Sequence, residues 1–199
     1  MHSLTWLFVF VVALRAALNP PAIGVVPETV DVSSVPADSI DVAHPGLSLQ
    51  NGLYFLNGRP FSGYVRESGA GGHPQRVASY YRGKQHGLTR TFYANGALRD
   101  VRSYKDNVGY GRHFGYWESG NIKFDFLYFN DRREGAQKQW YRSGKPYAFL
   151  TFRDDREFGM QQAWRESGRL YINYEVRDGI RYGLQKSALC ATIENGAAQ

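Results

Sequence analysis

From about residue 51 onward, apolar and polar side chains alternate in short runs, and the runs recur. Ile122, Phe124, Phe126 and Tyr128 alternate with Lys123 and Asp125. One step later come Pro146, Ala148, Leu150 and Phe152, and then Leu170, Ile172, Tyr174 and Val176, the last set separated by Asn173 and Glu175. A period of two places each apolar set on one face of a β-strand. Apolar residues recur at no helical spacing over a helix-length window outside the N-terminal run. The step between corresponding residues is 24, and two glycine series keep it: Gly63, Gly87, Gly111, Gly135, Gly159 and Gly183, then Gly72, Gly96, Gly120, Gly144 and Gly168. A repeat of this period sets the architecture before any single residue does.

Within a unit, five positions after the first glycine, stands an aromatic residue, Phe92, Tyr116, Trp140 or Trp164. Tyr93, Trp117 and Tyr141 follow directly in three of the units. The pairs Asn95-Gly96, Ser119-Gly120, Ser143-Gly144 and Ser167-Gly168 then signal a hairpin turn. A second turn closes each unit through Asp106-Asn107, Asn130-Asp131, Asp154-Asp155 and Asp178-Gly179, residue types that tolerate left-handed φ. Each unit is therefore one β-hairpin with strands of about 5–7 residues. The unit at Gly87 carries Asp100 and Arg102 in the apolar phase and is expected where that face is wet. The first unit is expected to be irregular, because Ala70-Gly71-Gly72-His73-Pro74 replaces a tidy turn. Residues 53–58 look like a preceding half-unit, and residues 183–190 begin a degenerate one, as the ends of a repeat array require. The expected fold is all-β: tandem hairpins in an elongated antiparallel sheet.

The pattern glycine, four residues, two aromatics, one residue, Asn or Ser, glycine resembles the MORN repeat. It is carried by GLTRTFYANG at residues 87–96 and GAQKQWYRSG at residues 135–144. It looks closest to the bacterial MORN-variant class found in chains labelled YwqK-type antitoxins, and the resemblance covers roughly residues 51–187. It implies a scaffold, a protein-binding module or a membrane-associated module, and by its label an antitoxin or immunity role. It implies no catalytic residues.

The N-terminus differs in kind. Leu4–Leu14 is an apolar run, with Thr5 its one polar residue, ended by Arg15. It is shorter than the ~20 residues of a membrane-spanning helix and fits the apolar core of an export signal. Residues 1–22 are read as a signal peptide or membrane anchor and the protein as exported or membrane-tethered. Residues 23–50, rich in Pro, Val, Ser and Asp, are read as a flexible acidic linker. The repeat domain spans 51–190, and 191–199 form a tail. The net charge is +6, yet the first 50 residues hold four acids and one base, so the array is strongly basic. A basic module suits an anionic partner and also plain solubility.

Chemistry is sparse. One cysteine, Cys190, excludes an internal disulfide and a CxxC metal site. The five histidines stand at no metal-ligand spacing, and His86 and His113, at different repeat positions, read as surface or turn variation. Asp154-Asp155 and Asp178 read as turn residues with local ion pairs, not a calcium loop. No cofactor or metal is expected. Two candidate surfaces remain. Phe92, Tyr116, Trp140 and Trp164 form either a cross-strand ladder or an exposed ridge that grips a protein. Arg99, Lys105, Lys123, Arg153 and Arg177 alternate with the apolar residues and should project from the opposite face, toward solvent, an acidic protein or anionic lipid. An export signal and the absence of a recognisable nucleic-acid module count against nucleic acid. A one-faced apolar sheet without a helix needs the linker, a second copy or a partner to cover it, and self-association is the expected outcome.

Overall fold

The structure is a computed structural model describing residues 30–69 and 72–185. The apolar run, the signal cleavage region, Cys190 and the C-terminal tail lie outside the described residues. Those that are described form strands and turns, with no helix. A short strand β1 (Ser39–Asp41) is followed by a ribbon of β2 (Leu47–Gln50), β3 (Leu53–Leu56) and β4 (Arg59–Pro60). Then comes the array: β5 (Gly63–Ser68), β6 (Pro74–Tyr81), β7 (Lys84–Phe92), β8 (Leu98–Lys105), β9 (Val108–Gly109), β10 (Gly111–Tyr116), β11 (Ile122–Phe129) and β12 (Arg132–Arg133). It continues through β13 (Gly135–Trp140), β14 (Pro146–Arg153), β15 (Arg156–Trp164), β16 (Leu170–Arg177) and β17 (Ile180–Leu184). With β1, these strands make one 14-stranded sheet in sequence order, antiparallel except where β1 pairs parallel to the edge of β5. The all-β array of hairpins is thus as the alternation implies.

The two turn classes differ in backbone. The closing turns have positive φ at both central residues: 53° and 73° at Asp106 and Asn107, 50° and 62° at Asn130 and Asp131, 50° and 63° at Asp154 and Asp155. That is the type I′ requirement, met here by Asp and Asn. At Asn95-Gly96 and the Ser-Gly pairs only the glycine is left-handed, with φ between 82° and 89°. These loops close through Gly96 N–H to Tyr93 O (2.9 Å) and Tyr93 N–H to Ala97 O (2.8 Å), and the same pair of bonds recurs in the three later units. A bulge follows each loop, because pairing jumps from Ala163↔Ile172 to Trp164↔Leu170 and equivalently elsewhere. The extra residue is Arg99, Lys123, Tyr147 or Tyr171, and a bulge re-aims its side chain. The first unit follows the same rule, contrary to expectation. Gly69 N–H bonds His73 O (2.9 Å), Gly72 N–H bonds Gly69 O (3.2 Å), and Gln75 is the bulged residue. The unusual residues there change composition, not length.

Residues 30–50 are a correction to the linker reading. Ile40, Leu47, Tyr54 and Leu56 pack on a core of Phe61, Val65, Ala78 and Tyr80. The Tyr54 and Tyr80 rings meet edge-on at 4.7 Å. His86 Nε2 donates to Asp31 O (3.0 Å), tying the segment to β7. Low apolar content hid this, because a cover strip needs only a few apolar residues when the array supplies the rest. The strip covers the apolar face at the first units, one of the three covers considered above.

Successive hairpins are also bonded turn to turn. Gly83 N–H reaches Phe61 O (2.6 Å), Asn107 N–H reaches Gln85 O (2.8 Å), Asp131 N–H reaches Gly109 O (2.9 Å) and Asp155 N–H reaches Arg133 O (3.0 Å). Each step advances both partners by 24 residues. Asn107 Oδ1 and Asp131 Oδ1 accept in return from Gln85 N–H and Gly109 N–H, both at 2.6 Å. The Asx side chains therefore fix one unit on the next as well as shaping the turn.

Candidate functional site

Strand register assigns the faces. Gln137 stands opposite Leu150, Leu150 opposite Gln161, and Gln161 opposite Tyr174, so these share one face with Ala148, Phe152, Ala163 and Val176. Most of this face is buried: Ala148, Phe152, Ala163, Tyr174 and Val176 are 9% exposed or less. It carries a polar ladder that sequence reading missed. His113 Nε2 donates to Ser103 O (2.7 Å), Gln137 Nε2 to Leu127 O (2.8 Å) and Gln161 Nε2 to Thr151 O (2.8 Å). Every donor reaches the carbonyl ten residues before it. His113 is therefore an inward residue, not a surface one, and its burial holds the imidazole pKa below the ordinary value. Asp100 is corrected likewise. It is 6% exposed, accepts from Thr91 Oγ1 (2.6 Å) and pairs with Arg102 (3.2 Å). Of the two residues expected in a wet patch, only Arg102 is exposed.

The opposite face holds both candidate surfaces. Lys138 stands opposite Phe149, and Phe149 opposite Gln162. Trp140 and Trp164, two residues beyond Lys138 and Gln162, grip Phe149 edge-on at 5.4 and 5.2 Å. Phe92 and Tyr116 occupy the same repeat position in earlier units, and all four rings are half-buried. The row is thus partly a cross-strand ladder and partly an open surface. Its central ring, Phe149, was not among the candidates. It lies in the polar phase of its strand, and only its match to the phase of Lys123 and Arg153 marks it as facing the row.

The basic candidates share this face but split into two lines. Arg99 and Lys123 are bulged residues at the glycine-turn end of the strands. Lys105, Arg153 and Arg177 lie six residues further along, about 20 Å away. Rings or carboxylates engage each of them. Lys123 Nζ is 4.4 Å from the Trp117 ring centroid, Lys105 Nζ 5.4 Å from Tyr110, and the Arg153 guanidinium 3.8 Å from Phe158. Arg99 lies 3.3 Å from Asp100 and Arg177 2.5 Å from Glu175. The result is an aromatic face with interleaved cations rather than a bare cationic sheet.

The second aromatic of the three central units is a clamp that sequence reading also left unassigned. Tyr93 O–H donates to Tyr116 O (2.8 Å), Trp117 Nε1–H to Trp140 O (3.2 Å) and Tyr141 O–H to Trp164 O (2.9 Å). Each ring bonds the residue 23 positions on, in the next unit. The available signal was that in the three central units this position holds a ring bearing a donor, Tyr or Trp, and never Phe.

Among the described residues, no group of three or more His, Cys, Asp or Glu stands together to hold a metal ion. Hairpins bonded ring to carbonyl and turn to turn, one face packed and the other aromatic, define a β-hairpin repeat protein. The family model described as MORN repeat variant matches residues 85–106, from the start of β7 through the end of β8. That stretch of the chain is similar to a MORN repeat variant. No curated protein and no solved structure matches the chain. MORN repeats are in general non-catalytic and mediate protein or membrane interactions.

Proposed function

We propose that the protein is a non-enzymatic protein-binding scaffold, exported or membrane-tethered, that presents the face of Phe92, Tyr116, Trp140 and Trp164 to a partner. The supporting observation is the Trp140–Phe149–Trp164 row with Lys123, Lys138 and Arg153 on the same face. Aromatic anchors among cations fit the composition of interface hot spots, and the cations select acidic surroundings on the partner. The five cations of the lipid reading are held by rings or carboxylates in two separate lines, which favours a protein over a headgroup layer. The export reading rests on Leu4–Leu14.

The test is capture from native extract with the full chain, beside a Trp140→Ala/Trp164→Ala variant shown to be folded by circular dichroism. Loss of one near-stoichiometric protein in the variant supports the scaffold. Retention of that protein rejects the row as its site, and salt-sensitive binding to anionic vesicles without protein capture moves the function to lipid.

A further inference from the structure

The clamp position has a gap in the first unit. Gly69 stands where Tyr93, Trp117 and Tyr141 stand in the three units that follow. With no ring there, a cavity of about 220 Å³ opens beside Gly69, His73, Gln75, Phe92 and Tyr93. Moved forward by 24, these positions become Tyr93, Ala97, Arg99, Tyr116 and Trp117, the neighbourhood into which the Tyr93 ring reaches to donate to Tyr116 O. The Phe92 carbonyl is thus the position that lacks its ring-borne donor. Gln75 is the bulged residue whose counterparts flank the clamp rings: Lys123 lies over Trp117 at 4.4 Å and Tyr147 meets Tyr141 at 5.1 Å. About 150 Å³ of apolar cavity already admits benzene, so the gap holds a phenol or an indole.

We propose that this slot docks a tyrosine or tryptophan side chain from a partner protein, which completes the clamp series by donating to the Phe92 carbonyl. The assignment comes from the molecule's own occupancy of the equivalent slots, filled in the next three units by a ring with a donor, never by phenylalanine, and in the last unit by Arg165, also a donor. It deepens the protein-binding reading and rests on it, placing a specificity pocket at the N-terminal end of the aromatic row.

The experiment titrates the full chain with p-cresol, 3-methylindole and toluene, following backbone amide shifts by NMR. The two donors should shift Gly69, His73 and the 92–94 amides and bind about threefold to tenfold more tightly than toluene, the worth of one hydrogen bond. Gly69→Tyr supplies the ring internally. A Cβ at Gly69 meets nothing closer than 3.5 Å and its φ is not left-handed, so the variant is expected to fold, to lose fragment binding and to resist urea better. Gly69→Ala should keep the binding. Equal affinity for toluene, shifts elsewhere only, or undiminished binding to Gly69→Tyr overturns the proposal. A dimer that Gly69→Tyr dissolves also overturns it, by making a second copy the occupant. If fragments fail while Trp140→Ala/Trp164→Ala abolishes capture, the slot falls alone; if fragments bind and no protein is captured, the scaffold reading falls.

Discussion

Replacing Gly87 by alanine asks whether the N-terminal strip really lies on the array. Gly87 sits at φ 96°, and a Cβ built there lies 2.4 Å from Val32 Cγ1 and 2.6 Å from Ser79 Oγ. Gly96 supplies the control: its φ is 82°, and an added Cβ meets nothing within 4 Å. Both variants carry the left-handed backbone cost of about 1–2 kcal/mol. Only Gly87→Ala adds overpacking, about 1–3 kcal/mol more, for a total of about 2–5 kcal/mol. Because Ser79 contributes to the clash, Val32 is isolated by a double-mutant cycle with Val32→Ala. That partner change removes Cγ1, and the cycle should show a coupling of about 0.5–3 kcal/mol, with Gly87→Ala milder in the Val32→Ala background. Urea unfolding by circular dichroism measures the total. Amide exchange in β6 and β7 measures the local share, since repeat arrays lose stability unit by unit. Additivity within about 0.3–0.5 kcal/mol would refute the packing of residues 30–50 on the array and restore the linker reading.

Other outcomes follow from single contacts. Tyr141→Phe removes the bond to Trp164 O while keeping the ring, and should cost about 1 kcal/mol by urea unfolding; no cost would deny the clamp an energetic role. His113 has a folded pKa lowered by burial, so the unfolded chain takes the proton first. Its contribution is full above about pH 6.5 and is lost as pH falls from there through the folded value. His113→Gln, the residue of the two later units, should flatten that part of the stability–pH curve, and an unchanged curve would place the titration elsewhere. Gly115→Ala drives a Cβ to 2.5 Å from the Phe124 ring and 3.0 Å from Arg99 O, and should cost about 1–3 kcal/mol in the same assay. A wild-type midpoint would mean that the ring has somewhere else to go.

What the sequence shows plainly is whatever recurs. Period two, the 24-residue step and the turn residues identify hairpins and their order, because each unit restates the same local chemistry and errors average out. Turn subtype was less legible. Asn95-Gly96 signals a hairpin, but whether Asn95 also turns left-handed depends on loop length, and the bulge at Arg99 settles that. The aromatic row was visible as positions but not as a surface. Whether Trp140 is ladder or ridge depends on Phe149, which reaches it from the neighbouring strand in what reads as a polar phase. The cover strip was least legible, since Ile40, Leu47 and Val32 are too few and too irregular to form a pattern of their own.

This asymmetry bears on where function sits in a repeat chain. A residue that recurs from unit to unit is explained by stacking. Asp131 and Asp155 hold the previous turn, Tyr141 the next strand, and Gln161 an inner carbonyl, so their recurrence reports how neighbours join. Recognition of a particular partner needs what only one unit has. Three departures fall in the first units of the array: the strip over Gly87, the buried Asp100 with its arginines, and the glycine at position 69. The last of these changes no backbone hydrogen bond of its turn, so its effect is confined to the space its missing ring leaves. A departure that leaves the fold intact and opens a pocket is the kind that binding uses. Phe92 links it to the aromatic row, since its ring belongs to that row and Phe92 also lines the slot. A partner that anchors on Trp140 and Trp164 and inserts a tyrosine beside Phe92 would meet the array at two places, and the slot would set its register.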